Sequence, residues 1–150
     1  MTLLSARERA WLDRAFISIT AAKVGPSAED LESAPELDLW RPQVNFVGEL
    51  VLEGNVRGHP TLGDNAIITS PVIALDPDER WSRTVSRWYC LRRHHPREGH
   101  VHRGHPYLAP FLPPDRAQID RRLEVYIECL KEMDTRDRQA RGCADKDGRR

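Results

Sequence analysis

The hydrophobic period of this chain changes twice along its length, and that restricts the fold more than any single motif. Near the start, Leu12, Ala15, Phe16, Ile19 and Ala22 recur at helical spacing, with Trp11 beside the stripe. Near the end, Ile119, Leu123, Tyr126, Ile127, Leu130 and Met133 follow the steps i, i+4, i+7, i+8, i+11 and i+14. Between them, Trp81 to Leu91 alternates residue by residue. Periods of 3.6 and 2.0 belong to different elements. Helices at both ends with strands between them predict an α+β fold. The expected architecture is a small antiparallel β-meander of three to four strands, flanked by an N-terminal and a C-terminal helix packed on one face.

Local signals set the boundaries. Ser5 and Glu8 form a capping box for the first helix, and Gly25-Pro26 ends it near Lys23. Ser27 and Asp30 cap a second, short helix through Leu31, and Pro35 and Pro42 then impose extended chain. The meander occupies residues 46 to 91. Its first strand is Glu49–Val56, with Gly54 as a bulge or bend. The turn formers of residues 58–65 lead to a second strand, Ala66–Leu75, where Pro71 implies an edge position or a bulge. Asp76-Pro77-Asp78-Glu79 suits a type I turn, and Trp81–Leu91 is the third strand. Pro113-Pro114-Asp115 opens the last helix. Residues 1–141 read as one domain, and 142–150, with nothing to bury, as a disordered tail.

With 39% hydrophobic and 31% charged residues, the composition is that of a soluble protein with one core. No apolar run approaches the ~20 residues that span a bilayer. Arg7, Glu8 and Arg9 interrupt any signal-peptide core. Cys90, Cys129 and Cys143 are odd in number and widely spaced, which fits unpaired thiols in a reducing cytoplasm.

A formal net charge of zero conceals a strong asymmetry. Arg80 to His105 holds seven arginines, no lysine, one acid (Glu98) and five of the six histidines, interleaved with Trp81, Trp88 and Tyr89. Guanidinium forks grip phosphate or carboxylate oxygens, and aromatic faces stack on bases. In a single strand over Trp81–Leu91, the small face bearing Trp88 turns inward and leaves Arg83, Arg87 and Tyr89 as an outward ladder. Arg83, Arg87, Arg92 and Arg93, with Tyr89 and Trp88, are therefore the expected contact surface of a non-catalytic binding module. Nucleic acid is its favoured partner and an acidic protein surface the alternative. From Ser27 to Glu53, seven acids face the single Arg41, so this segment either folds over the arginines or is displayed separately.

Other chemistry has thinner support. Of the clustered histidines, His100 and His102 share one side of an extended segment and are weak metal candidates, but no helical zinc spacing is present. His59 and Ser70 could meet across a hairpin as a small hydrolase pair, without a nucleophile elbow to support them. The glycines at 54, 58 and 63 match no nucleotide-binding loop. No cofactor and no catalytic residue is expected.

The run Gly58-His59-Pro60-x-Leu62, then Ile68-Thr69-Ser70-Pro71, then Trp81-x-Arg83-Thr84-x-Ser86-Arg87-Trp88-Tyr89-x-Leu91 resembles a family of short, uncharacterised, mainly alphaproteobacterial proteins met on plasmids and prophages as well as chromosomes. The resemblance covers the middle third of the chain. It implies a bacterial or mobile-element setting, in which an accessory or anti-defence role is reasonable, and it brings no assigned activity.

Overall fold

A computed structural model of the chain describes residues 3–96 and 115–147. The elements run α1 (Ala6–Val24), α2 (Ala28–Ser33), β1 (Glu36–Val44), β2 (Leu50–His59), β3 (Gly63–Ile68), β4 (Val72–Leu75), β5 (Trp81–Thr84), β6 (Trp88–Leu91) and α3 (Arg116–Asp147). Both expected capping boxes form, Ser5 with Glu8 and Ser27 with Asp30. Gly25, at φ +86°, ends α1. Asp115 starts α3 by accepting the Gln118 N–H at 2.8 Å. That helix continues to Asp147, past the expected stop at 141. Among the described residues, no helix is long and apolar enough to cross a membrane.

The fold is α+β, but the sheet has six strands rather than three or four, and it is mixed. Its order is β3-β2-β1-β6-β5-β4. All neighbours are antiparallel except β1 and β6, which run parallel. The two edges, β3 and β4, are consecutive in the chain, joined only by Thr69-Ser70-Pro71. In a flat sheet, five gaps of about 4.8 Å would part the edges by about 24 Å. Four steps of chain from Ile68 to Val72 reach about 14 Å at most. The sheet must therefore curl. Its closure is visible in three bonds: Thr69 N–H to Leu52 O at 2.9 Å, Leu52 N–H to Thr69 Oγ1 at 3.0 Å, and Val85 N–H to Pro71 O at 3.0 Å. Residues 63–75 thus act as one bent strand that pairs first with β2 and then with β5.

Glu49–Val56 forms nearly as expected, as β2, while the rest of the strand pattern is corrected. Glu36–Val44, read as extended chain between prolines, is a full strand. Pro42 lies opposite Leu52, which turns its own N–H and C=O toward Thr69, so the missing proline N–H removes no ladder bond. Ala66–Leu75 breaks where it changes partner. Trp81–Leu91 folds back as a hairpin, because Thr84 Oγ1 accepts the N–H groups of Ser86 and Arg87, both at 3.1 Å. This turn inverts the faces after Thr84. Ser82 now sits opposite Tyr89 and Arg83 opposite Trp88, so Tyr89 points inward and the outward ladder does not exist.

Two cores result. Leu37, Leu52, Val56, Val72, Tyr89 and Leu91 fill the curl, and Ile119 and Leu123 of α3 join them. Outside β4 and β5, Ile73 and Val85 meet Leu12, Ala15 and Ile19 of α1 and Leu130 of α3. The long C-terminal helix therefore belongs to both. Its far end is clamped to the start of the chain: Asp137, with 1% of its side chain exposed, accepts the Leu4 N–H at 3.0 Å and pairs with Arg9 and Arg141.

Gly54 lies opposite a bulge between Asp38 and Arg41, where Leu39 takes φ +49°. A Cβ on Gly54 would stand 2.9 Å from Asp38 O and 3.0 Å from Leu37 Cγ. Gly54→Val should cost about 1–3 kcal/mol in urea unfolding. Gly142→Ala, in the open on α3, should be neutral or stabilise by up to about 1 kcal/mol. Hydrogen bonding by Arg141 holds the Asp137 carboxyl down at about 2, with Leu4 N–H and Arg9 adding to it and burial opposing. A carboxyl depressed in the folded state stabilises above its unfolded pKa of about 3.9, and that stability is lost as pH falls through the folded value. The urea midpoint of the native protein should therefore drop between pH about 4 and 2, and Asp137→Asn should flatten that part of the drop while starting from a less stable protein.

Candidate functional site

The parallel pairing of β1 with β6 decides the fate of the arginine row. Glu36 lies beside Cys90 and Leu37 beside Leu91. The acids of β1 therefore run alongside the basic residues that trail β6. Arg92 pairs with Glu36. Arg93 grips Asp38 in a fork, Nε to Oδ1 at 3.1 Å and Nη2 to Oδ2 at 2.6 Å, and its backbone N–H adds a third bond at 3.1 Å. Those bonds hold the Asp38 carboxyl well below the usual carboxylate range. Arg80 binds Asp76 at 3.1 Å within the tight turn that follows β4. The acidic segment thus folds over part of the basic one. Glu29 and Glu32, on α2, make no ion pair among the described residues.

Arg83 does point out of the curl, but into α1. Its Nη2 donates to Ser18 Oγ at 3.0 Å, and its guanidinium lies 5.1 Å from the centre of the Trp88 ring. Its Nε is buried without a hydrogen-bond partner among the described residues. Burial lowers the pKa of this arginine, with the charge of Asp30 opposing. Trp88 is 8% exposed and meets Trp81 edge to face at 5.3 Å, and Tyr89 is 3% exposed. Neither ring offers a free face to a base. Of the expected contact residues, only Arg87, half-buried in the β5–β6 turn, has a guanidinium without a hydrogen bond or ion pair among the described residues. Arg97 and Arg103 lie outside the described residues.

The other sequence candidates are scattered. His59 Nδ1 accepts the N–H groups of Thr61 and Leu62 at 3.2 and 3.1 Å, which puts the proton of the neutral ring on Nε2. Burial first, then the charge of Arg87, lowers the His59 pKa. Ser70 Oγ bonds Ser86 Oγ at 2.8 Å. His59 pairs with Gly63 near the hairpin tip, whereas Thr69, next to Ser70, bonds Leu52, seven residues along β2. Each residue has its own partner, and the two form no dyad. Cys90 Sγ donates to Leu31 O at 3.2 Å, and burial raises its pKa. No group of three metal-ligating side chains occurs among the described residues. His100 and His102 lie outside them.

A different feature emerges where the β1–β2 turn meets the first half of α3. A groove of about 880 Å³ is lined there by residues that include Val47, Glu49, Arg121, Arg122, Val125 and Tyr126. The turn is rigid. Asn45 Oδ1 accepts the N–H groups of Val47 and Glu49, Asn45 Nδ2 donates to Glu49 Oε1, and Gly48 supplies φ +85°. It presents Phe46 and Val47 at 66% and 77% exposure, across from Val125 at 56%. The Tyr126 hydroxyl is buried beside Glu49, and burial, then the charge of Glu49 and a hydrogen bond to it, push its pKa up. The sequence does carry a signal for this groove. Arg116, Arg136, Arg138 and Arg141 each have a carboxylate four residues away and pair with it. Arg121 and Arg122 have none at that spacing.

No curated protein and no solved structure shows significant similarity to the chain. The sequence model of one family does match it, over residues 2–144, and the chain therefore belongs to that family, the family of unknown function DUF6634.

Proposed function

We propose that this protein is a non-catalytic binding module whose partner is an acidic protein surface. The observation that carries the reading is the pairing of Arg92 with Glu36 and of Arg93 with Asp38. A phosphate approaching either arginine must compete with a carboxylate of the same chain. It gains no stacking in return, because Tyr89 and Trp88 are buried. A protein partner has less need of that face. Arg87, Arg121 and Arg122 carry no carboxylate among the described residues, and exposed Phe46, Val47 and Val125 stand near the latter two. Arginine interspersed with apolar and aromatic side chains is the composition of protein interfaces. The free thiols of Cys90, Cys129 and Cys143 support a reducing, cytoplasmic setting. For such a binder, the bacterial or mobile-element setting that the motif resemblance implies makes an accessory or anti-defence role a reasonable analogy.

Fluorescence anisotropy with short single-stranded and duplex oligonucleotides tests the choice of partner. No saturable binding is expected even at about 50 mM salt. The opposite result would be a saturable isotherm that Arg92→Glu with Arg93→Glu abolishes. If its log K also fell by about 0.7–0.9 per log unit of salt for each phosphate neutralised, nucleic acid would replace protein as the ligand.

A further inference from the structure

We infer that Glu79 is the fixed half of a pH-responsive clasp: when His94 carries a proton, one carboxylate in the β4–β5 turn holds both the chain that trails β6 and the start of α3.

Three elements converge on this carboxylate. Its Oε2 meets Nε2 of His94, and its Oε1 lies 4.0 Å from Nη1 of Arg116. Arg116 is anchored independently, donating to the Leu75 and Asp76 carbonyls at 2.9 and 3.0 Å. His94 is placed by its neighbours. Trp40 N–H donates to Arg93 O at 3.1 Å and His95 N–H to Trp40 O at 2.8 Å, so the chain on both sides of His94 is laddered to β1. The imidazole thereby lies over the buried Trp40 ring, with centroids 4.1 Å apart and planes 36° from parallel. Backbone strain is the second observation. Glu79 takes φ +56°, a left-handed conformation that favours glycine or asparagine, in a turn closed by its own N–H on Asp76 O at 2.8 Å. What glutamate supplies there, and glycine would not, is the carboxylate.

Imidazole is the side chain whose charge ordinarily changes between about pH 5 and 8. Protonation gives His94 a charge-assisted bond to Glu79 and a cation–π contact with Trp40, neither of which a neutral ring makes. Among the described residues, the carboxylate in contact with the ring is that of Glu79. The surrounding acids are engaged elsewhere: Glu36 with Arg92, Asp38 with Arg93, Asp76 and Asp78 with Arg80, and Asp120 with Arg116. Arg93 beside the ring and Arg116 across the carboxylate oppose the proton. His95, next in the chain, turns its Nδ1 to Pro96 O at 2.8 Å. Arg116 stays charged throughout, so rising pH changes a carboxylate shared by two cations into one facing Arg116 alone. The stability that the His94 contact adds is therefore present in mild acid and lost as pH rises through the imidazole range.

The test uses the full chain at about pH 5.5 and about pH 8.5, on either side of the imidazole range. In urea unfolding, a double-mutant cycle of His94→Gln and Glu79→Gln isolates their contact from the opposing arginines and from the other histidines. The coupling should be about threefold in the folding equilibrium at the lower pH and shrink toward one at the higher. Both side chains are partly exposed, and circular dichroism checks that each variant folds. Tryptophan emission is the second readout, because a charged imidazole quenches an indole that it stacks on. Emission of the native chain should fall on acidification, and His94→Gln should remove most of that drop. Equal coupling at the two pH values would reduce the contact to an ordinary surface pair and overturn the switch. An emission that ignores pH, or a drop that survives His94→Gln, overturns it as well. So does a drop whose pH profile Glu79→Gln leaves unaltered.

Discussion

The bend at Thr69-Ser70-Pro71 is the constraint from which the rest of the molecule follows. Because one continuous stretch serves β2 before it and β5 after it, the two edges of the sheet are brought within reach of a few residues. Proline suits the position. It gives no N–H to a ladder that is changing partners, and its carbonyl still accepts from Val85. Closure of the curl leaves β1 and β6 side by side and parallel, the one pairing in the sheet that is not antiparallel. It also creates an inside, which Tyr89 and Leu91 occupy together with Ile119 and Leu123 from the C-terminal helix. A flat meander would have no use for an aromatic on that side of β6.

That parallel pairing is an electrostatic event as much as a topological one. Glu36 and Asp38 share a side of β1 by strand alternation, and the register sets them against the residues that leave β6. Exposed ion pairs of this kind contribute little to stability. Their effect is on the field: two of the most exposed arginines of the basic segment are matched locally, and the zero net charge of the whole chain is reproduced over a few ångströms. Arg83 illustrates a different solution. Its charge is kept by a hydroxyl and an aromatic face instead of a carboxylate, at the cost of one buried N–H without a partner.

How much of this was legible follows from where the information resides. Caps and helical stripes are local, so α1, α2 and most of α3 can be read directly, as can the Asp76–Glu79 turn, where the Glu79 N–H donates to Asp76 O at 2.8 Å. The β5–β6 hairpin was hidden because its turn contains no glycine or proline. Thr84 shapes it with a side-chain oxygen, and the alternating pattern continues undisturbed through Val85-Ser86-Arg87. One undetected reversal exchanged the faces of everything after it, which is why Tyr89 moved from the expected surface to the core. β1 was hidden for the converse reason. Pro42 argues against a strand, and only the tertiary fact that Leu52 bonds elsewhere makes it harmless.

The same distinction between local and tertiary pairing sorts the arginines. On a long exposed helix, the carboxylates a guanidinium can reach along the surface lie one turn away, at i±3 or i±4. Four arginines of α3 pair with such a carboxylate. In the strands, no such rule applies, and partners come from register: Arg41 with Glu53 across β1 and β2, Arg93 with Asp38 across β1 and the end of β6. Crowding of arginine in the chain is therefore a poor guide to free positive charge. Of the arginines between Arg80 and Arg93, two meet acids of β1, Arg80 meets Asp76 in its own turn, and Arg83 is held by a hydroxyl and a ring. The less conspicuous pair on α3, Arg121 and Arg122, has no acid four residues away, and Arg121 makes no ion pair with Glu124 at i+3 among the described residues.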